Sequence, residues 1–458
     1  MKRIFLNSAF ALVLLLPAGC GIYTKYQRPE TAFADSLYLL QTKTDKADTT
    51  SLADLSWREL FSDSQLRGLI TKGLNNNTDL RIARSKVREA EATLKASRMA
   101  FFPSVSFDAD GSVKHHTAGS TSKSYSAAIS AGWELDIFGR LHNAKKGAVA
   151  ALEQSYAYEQ AVQTQLIATI ANSYYTLLML DEQLRISRRT LDNWEKNIRA
   201  LAALKRAGKT NETAVLQAKA NRLDVERSAL TLEKQIAEQQ NALCSLLGIV
   251  PQTIKRATLA EQQFPKTLSV GLPLQLVNRR PDVRQAEYAL AEAFYATNAA
   301  RSAFYPKITL GGSAGWTFGS NTIADPGTWL LSALGSLAQP IFANGQNRAR
   351  LKIAKEQQEQ ALVRFKQQLL DAGIEVNNAL TLWQKSLQRL DVDKKRIVHL
   401  RAAVWNTTLL MKYGQTNYLE VLTAQQNLLQ AELAEASDKY DEIQGIISLF
   451  HALGGGTK

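Results

Sequence analysis

The sequence predicts a mainly α-helical chain with a small β part, in which long coiled-coil helices are joined to strands of a transmembrane β-barrel that several chains share. Three observations predict it: a seven-residue apolar repeat longer than any globular core needs, an internal duplication, and two pairs of alternating runs of membrane-strand length.

The repeat is clearest between about Gln346 and the turn at Gly414, where Leu362, Leu369, Val376, Trp383, Leu390, Ile397, Val404 and Met411 recur every seventh residue among charged and amide side chains. A strict seven-residue period keeps one seam against a partner only if helices wind left-handedly about each other. At roughly 1.5 Å per residue the helix is a rod of about 100 Å. The same rod occurs earlier: Ile170, Leu177, Leu184, Leu191 and Ile198 stand 206 positions before their counterparts, since 376 − 170 = 206. The turns match too, Lys205 to Asn211 answering Met411 to Asn417. Returning helices are expected from about Asn211 to Leu247, ended by Gly248, and from about Asn417 to Leu453.

Before each rod the period changes to two. Ser104 to Phe107 and Tyr125 to Leu135 alternate, with a polar loop containing His115 and His116 between them; Ile308 to Phe318 and Thr328 to Ile341 repeat the arrangement. Each run is long enough for a tilted membrane strand. Four strands cannot close a barrel and an open edge is not tolerated in lipid, so the barrel must be shared; two, three or four copies all satisfy the arithmetic.

At the start, Lys2 and Arg3, the apolar run Ala9 to Leu16 and the small residues Ala18 and Gly19 form an export signal, residues 1–19. Leu16-Pro17-Ala18-Gly19-Cys20 resembles a lipoprotein cleavage site with Cys20 as the acylated first residue. Residues 20–50 then lack any sustained period and read as a lipid-anchored arm lying over the body. The first structural repeat is 51–253, with short helices containing Trp57 to Ile70, a cap at Ser62 or Asp63, another at Asn77, Thr78 or Asp79, the hairpin at about 104–135 and a turn at 208. A linker at 254–273 leads to the second repeat, 274–453, with its hairpin at about 307–341 and its turn at 414; residues 454–458 are a tail.

The formal charge of +13 suggests a polyanion, nucleic acid or an anionic membrane surface. Basic residues crowd the turn ends, among them Arg199, Lys205, Arg206, Lys209, Arg396 and Arg401, but no aromatic platform or groove-reading motif accompanies them. Nucleic acid is therefore set aside. Two cysteines exclude a disulfide framework, and Cys244 between Leu243 and Leu246 reads as a small buried residue. None of the five histidines has a carboxylate or cysteine at metal-ligand spacing, so no catalytic residue, metal site or cofactor is expected.

Several motifs then fall in a fixed order: Tyr26-Gln27-Arg28-Pro29, Trp57 to Asp63, Trp133 to Arg140, Asn278-Arg279-Arg280-Pro281-Asp282, Phe304-Tyr305-Pro306, and Pro340 to Gly345. With them nearly the whole chain resembles the TolC-like outer-membrane factors, in the lipoprotein branch that serves multidrug efflux. The resemblance implies a homotrimer whose twelve strands form one barrel in the outer membrane and whose helices continue as a periplasmic tunnel. It implies partners: a periplasmic adaptor (membrane fusion) protein, an inner-membrane RND-type transporter and outer-membrane lipid. A type I protein secretion channel is the alternative within the same class, and a non-channel coiled-coil lipoprotein the alternative outside it. By the same resemblance, Leu419, Glu420, Thr423 and Gln426 are the periplasmic gate, and Tyr418 is added to them because only the second turn sets large side chains beside an acid. Gly208, Lys209, Thr210, Gly414, Gln415 and Thr416 are the adaptor-docking turns. An aspartate is common at the position of Thr423, so any acidic ring here rests on Glu420.

Overall fold

The computed structural model describes residues 23–29, 52–115, 119, 121–264, 279–319 and 328–457. Eight α-helices and four strands occur among them: α1 (Trp57–Leu60), α2 (Ser64–Asn76), α3 (Thr78–Met99), β1 (Ser104–His115), β2 (Thr121–Leu135), α4 (Arg140–Arg206), α5 (Glu212–Leu246), α6 (Pro281–Ser302), β3 (Lys307–Gly319), β4 (Thr328–Ala338), α7 (Gln346–Lys412) and α8 (Tyr418–Ala452). The chain is thus mainly α with a small β part, as the periodicities predict. The rods α4 and α7 are both 67 residues long, and the returning helices α5 and α8 both 35. Every boundary of the second set lies 206 positions after its counterpart (346 − 140, 412 − 206, 418 − 212 and 452 − 246). No helix among the described residues is long and apolar enough to cross a membrane.

The chain divides into two compact units, each drawn from both halves of the sequence. In the first, the four strands form one antiparallel sheet in the order β1-β2-β3-β4, so β1 and β4 are open edges. Registers such as Phe107 with Ile129, Ile129 with Ala314 and Ala314 with Leu331 set one apolar face. The opposite face carries hydroxyls: Ser106 and Ser130 meet at 2.8 Å, Ser313 and Ser332 at 2.7 Å, and Thr309 and Ser336 at 2.7 Å. The strands correct the sequence reading at three places, the first being β2, which starts at Thr121, four residues before Tyr125. β1 extends eight residues past Phe107, because Asp108, Asp110, Ser112 and Lys114 continue the alternation on the hydroxyl face and are strand, not loop. β4 ends at Ala338 instead of Ile341, before Pro340, which has no N–H to give a ladder.

Local hydrogen bonds explain how this unit changes from strand to rod. Asp136 Oδ1 and Oδ2 accept from the backbone N–H groups of Leu141 and His142, satisfying two donors at the start of α4. Arg140 holds Glu134 through two bonds of 2.7 and 2.8 Å. Residues 23–29 lie on α6: Arg28 grips Glu287 with bonds of 2.7 and 2.5 Å, and the Tyr26 ring meets Phe294 edge-on at 5.6 Å. Cys20 and residues 30–51 lie outside the described residues.

The second unit holds the core. Trp57, Phe61, Leu66 and Ile70 pack with Ile170, Tyr174 and Leu177 of α4, Leu243 and Cys244 of α5, Val376 of α7 and Ile443 and Phe450 of α8. Cys244 is buried and free. Of the candidate caps, Asp63 and Asn77 serve: Asp63 accepts from Gln65 N at 2.8 Å and Asn77 from Leu80 N at 3.0 Å. The first part of the expected linker belongs to this core, since Ile254 and Leu259 are buried and Arg256 binds Asp181. Its remainder, 265–273, lies outside the described residues.

Candidate functional site

A second apolar cluster lies at the turns, formed by Ile186, Trp194 and Leu201 of α4, Ala214, Val215 and Val225 of α5, and Leu422, Leu429 and Ala436 of α8. Both turns use one construction. Gly208 and Gly414 sit at φ +71° and +72°, in the left-handed region that costs a side chain but not glycine. Lys209 N then bonds Leu204 O at 2.9 Å, and Gln415 N bonds Leu410 O at 3.0 Å, closing each rod with a C-terminal cap. Asn211 accepts from Ala214 N, and Asn417 from Leu419 N and Glu420 N, so the next helix starts at once. The two turns lie side by side around a cavity of about 740 Å³ lined by Leu201, Lys209, Met411, Gly414, Gln415 and Tyr418.

The structure separates the residues singled out by sequence into two sets. Leu419, Glu420, Thr423 and Gln426 share one uncovered stripe of α8, and Leu419 is 56% exposed, while Val421, Leu422 and Ala424 behind them are buried. Tyr418 is half-buried and packs on the apolar cluster of its own chain. Glu420 is held by Thr416 Oγ1 of its own turn, and among the described residues it has no ion pair with Arg206, Lys209 or Lys412. The first turn has Ala214 at the position of Glu420, and its acid, Glu212, stands 206 positions before Tyr418 and pairs with Lys205.

One group was missed in the sequence. Glu432 of α8 is only 6% exposed and accepts from Arg189 of α4 and, at 2.9 Å, from Arg401 of α7. One carboxylate therefore joins three helices. Its counterpart in the first half, Glu226, pairs at 3.0 Å with Arg222 of its own helix. The signal was an acid among small and apolar residues, Leu428 to Ala436, where a solvated position is not expected.

The family model for outer membrane efflux protein matches residues 69–249 and 272–455, most of the chain. The chain belongs to this family. Among curated relatives, the cation efflux system protein CusC of Escherichia coli O6:H1 is 30% identical over 459 residues, 97% of each chain. The probable outer membrane lipoprotein SilC of Salmonella typhimurium is 30% identical over 469 residues, 100% of this chain and 99% of its own. The solved outer-membrane channel OprN superposes with a TM-score of 0.86 at 28% identity, covering 96% of this chain and all of OprN. This efflux protein is accordingly an outer-membrane channel and a passive one, not an enzyme. The order of motifs that resembled outer-membrane factors thus identified the family correctly.

Proposed function

We propose that three copies of this channel close one β-barrel, and that the trimer is the exit duct of a tripartite pump completed by a periplasmic adaptor and an inner-membrane RND-type transporter. The observation that carries this reading is the four-stranded sheet with two open edges and one apolar face, which lipid tolerates only if neighbouring chains pair with both edges. The apolar face meets lipid and the hydroxyl face lines the water-filled lumen. Further support is an uncovered seam on α5, where Leu216, Leu223 and Leu230 recur every seventh residue at 55–62% exposed. Such a seam suits a helix of the next protomer. The two sequence repeats, 51–253 and 274–453, then supply alternate segments of one ring.

In this reading Cys20 is acylated and holds the arm at the membrane. The turns at Gly208, Lys209 and Thr210 and at Gly414, Gln415 and Thr416 receive the adaptor. The stripe of Leu419, Glu420, Thr423 and Gln426 closes the tunnel at rest, backed by Tyr418. Cargo is a small solute delivered by the pump, and metal cations are the first class to test because CusC is named for cation efflux. Deleting the gene in its own host should raise accumulation of metal cations, or of dyes if the pump is a drug exporter, and restoring it should reverse the effect. Native mass measurement of the extracted protein should give a trimer. A folded monomer with its strands intact, or unchanged accumulation of every tested solute, would overturn the proposal.

A further inference from the structure

A cavity of about 800 Å³ opens beneath the described arm in the first unit. Lys25, Arg301 and Lys355 line it against one acid, Glu359, and among the described residues none of the three cations has an ion pair. Tyr26 also lines it, and its Oη is buried with no hydrogen-bond partner among the described residues. Burial pushes the Tyr26 phenol up to about 12, so it stays a neutral donor. A buried donor without an acceptor is costly, and the space that Tyr26 lines carries excess positive charge. Apolar walls, Leu290, Phe294 and Leu362, complete the cavity.

The chain places this cavity just beyond the sheet. Arg301 precedes the first residue of β3 by six positions (307 − 301), and Lys355 follows the start of α7 by nine (355 − 346), about 14 Å of helix. Helical side chains lean toward the N-terminus, so Lys355 leans back toward the strands. The rim of the sheet is marked by exposed apolar residues, Phe102 at the start of β1 and Ile341 and Phe342 after β4, as expected where a barrel meets the membrane interface. Beyond that rim cations continue: Lys146 lies 5.7 Å from the Tyr295 ring, and Arg348, Arg350 and Lys352 are exposed on the first turns of α7. The sequence puts Cys20, the proposed acylation site, six positions before Tyr26.

We propose that this cavity binds the phosphodiester headgroup of an anionic phospholipid of the periplasmic leaflet, with Lys25, Arg301 and Lys355 around the phosphate and the Tyr26 hydroxyl donating to it. The glycerol and first methylenes rest on Leu290, Phe294 and Leu362. Part of the +13 charge that no nucleic acid explains is then a ring of lipid contacts.

Native mass spectrometry of the full-length protein, extracted in mild detergent with equimolar phosphatidylglycerol and phosphatidylcholine, reads the preference directly. The wild type should retain phosphatidylglycerol selectively, and Arg301→Gln with Lys355→Gln should lower the retained ratio about fivefold for each charge removed. Tyr26→Phe keeps the ring contacts with Phe294 and should still lower it, whereas Lys219→Gln on α5 should not. Equal retention of the two lipids by the wild type would overturn the proposal, and so would an unchanged ratio in the double variant, the result expected if the chain's own residues 30–51 fill the space. Displacement of the lipid by millimolar inorganic phosphate would show a free-phosphate site instead and would also overturn it.

Discussion

The carboxyl of Asp438 on α8 stands beside that of Asp393 on α7, and a second acid so close disfavours the Asp438 charge. Asp393 is only 7% exposed, and among the described residues nothing donates to its Oδ2. Burial first, and then the neighbouring Asp393, push Asp438 up to about 6, although Arg389 lies 3.0 Å away and also binds Asp441. The folded value lies above the unfolded one, near 4, so the stabilisation is fully present below about pH 4 and is lost as pH rises through about 6. The apparent melting temperature of the wild type should fall between pH 5 and 7. Asp393→Asn can donate at any pH and should flatten that slope and melt higher at pH 7.5. Parallel pH profiles for variant and wild type, followed by circular dichroism, would rule out this coupling of Asp438 to Asp393.

The three-helix bond at Glu432 gives a second expectation. Glu432→Ala releases Arg189 and Arg401, both of which reach solvent, so the stability loss should be modest, about 1–2 kcal/mol. Resting conductance in planar bilayers should nevertheless rise, because α8 loses its tie to α4. Glu226→Ala, whose partner is on its own helix, should leave conductance as in the wild type. A quiet Glu432→Ala channel would separate this bond from closure.

Close helix approach supplies a third. A Cβ on Gly445 of α8 would stand 2.9 Å from the backbone of Trp383 on α7, closer than atoms tolerate. Gly445→Ala should therefore force the two helices apart and cost about 1–3 kcal/mol. Denaturation that matches the wild type within error would mean that the helices adjust without strain.

For the proposed gate, the uncovered stripe of α8 suggests changing Leu419 and Glu420 together to alanine, which leaves the packed Tyr418 in place. Conductance at rest should increase several times more than with Glu212→Ala and Thr213→Ala in the first turn. Equal effects from the two turns would place closure elsewhere.

The rods and their turns were legible because every signal is local: the apolar seam, Gly208 and Gly414 at the caps, and Asn211 and Asn417 at the following starts. Two thirds of β1 was not, since Asp108, Asp110 and Lys114 look like loop to anyone who assumes that a strand face must be apolar. The site divides in the same way. Glu420 and its neighbours follow from a motif beside a turn, whereas Glu432 with Arg189, and Asp393 with Asp438, are made by residues 243 and 45 positions apart (432 − 189 and 438 − 393) that only helix packing brings together. Ile254 and Leu259 escaped for a third reason: a core residue in irregular backbone has no period to betray it.

The constant spacing of 206 between rod ends makes length a shared variable. Removing one heptad from α4 alone would leave its seam in phase yet draw its turn back by about 10 Å from the turn after α7, opening a step in a rim that the two now form together. Reach across the periplasm can therefore change only by paired edits, one in each half of the gene, and a single insertion or deletion of a whole heptad is a lesion in register with itself and out of step with its twin.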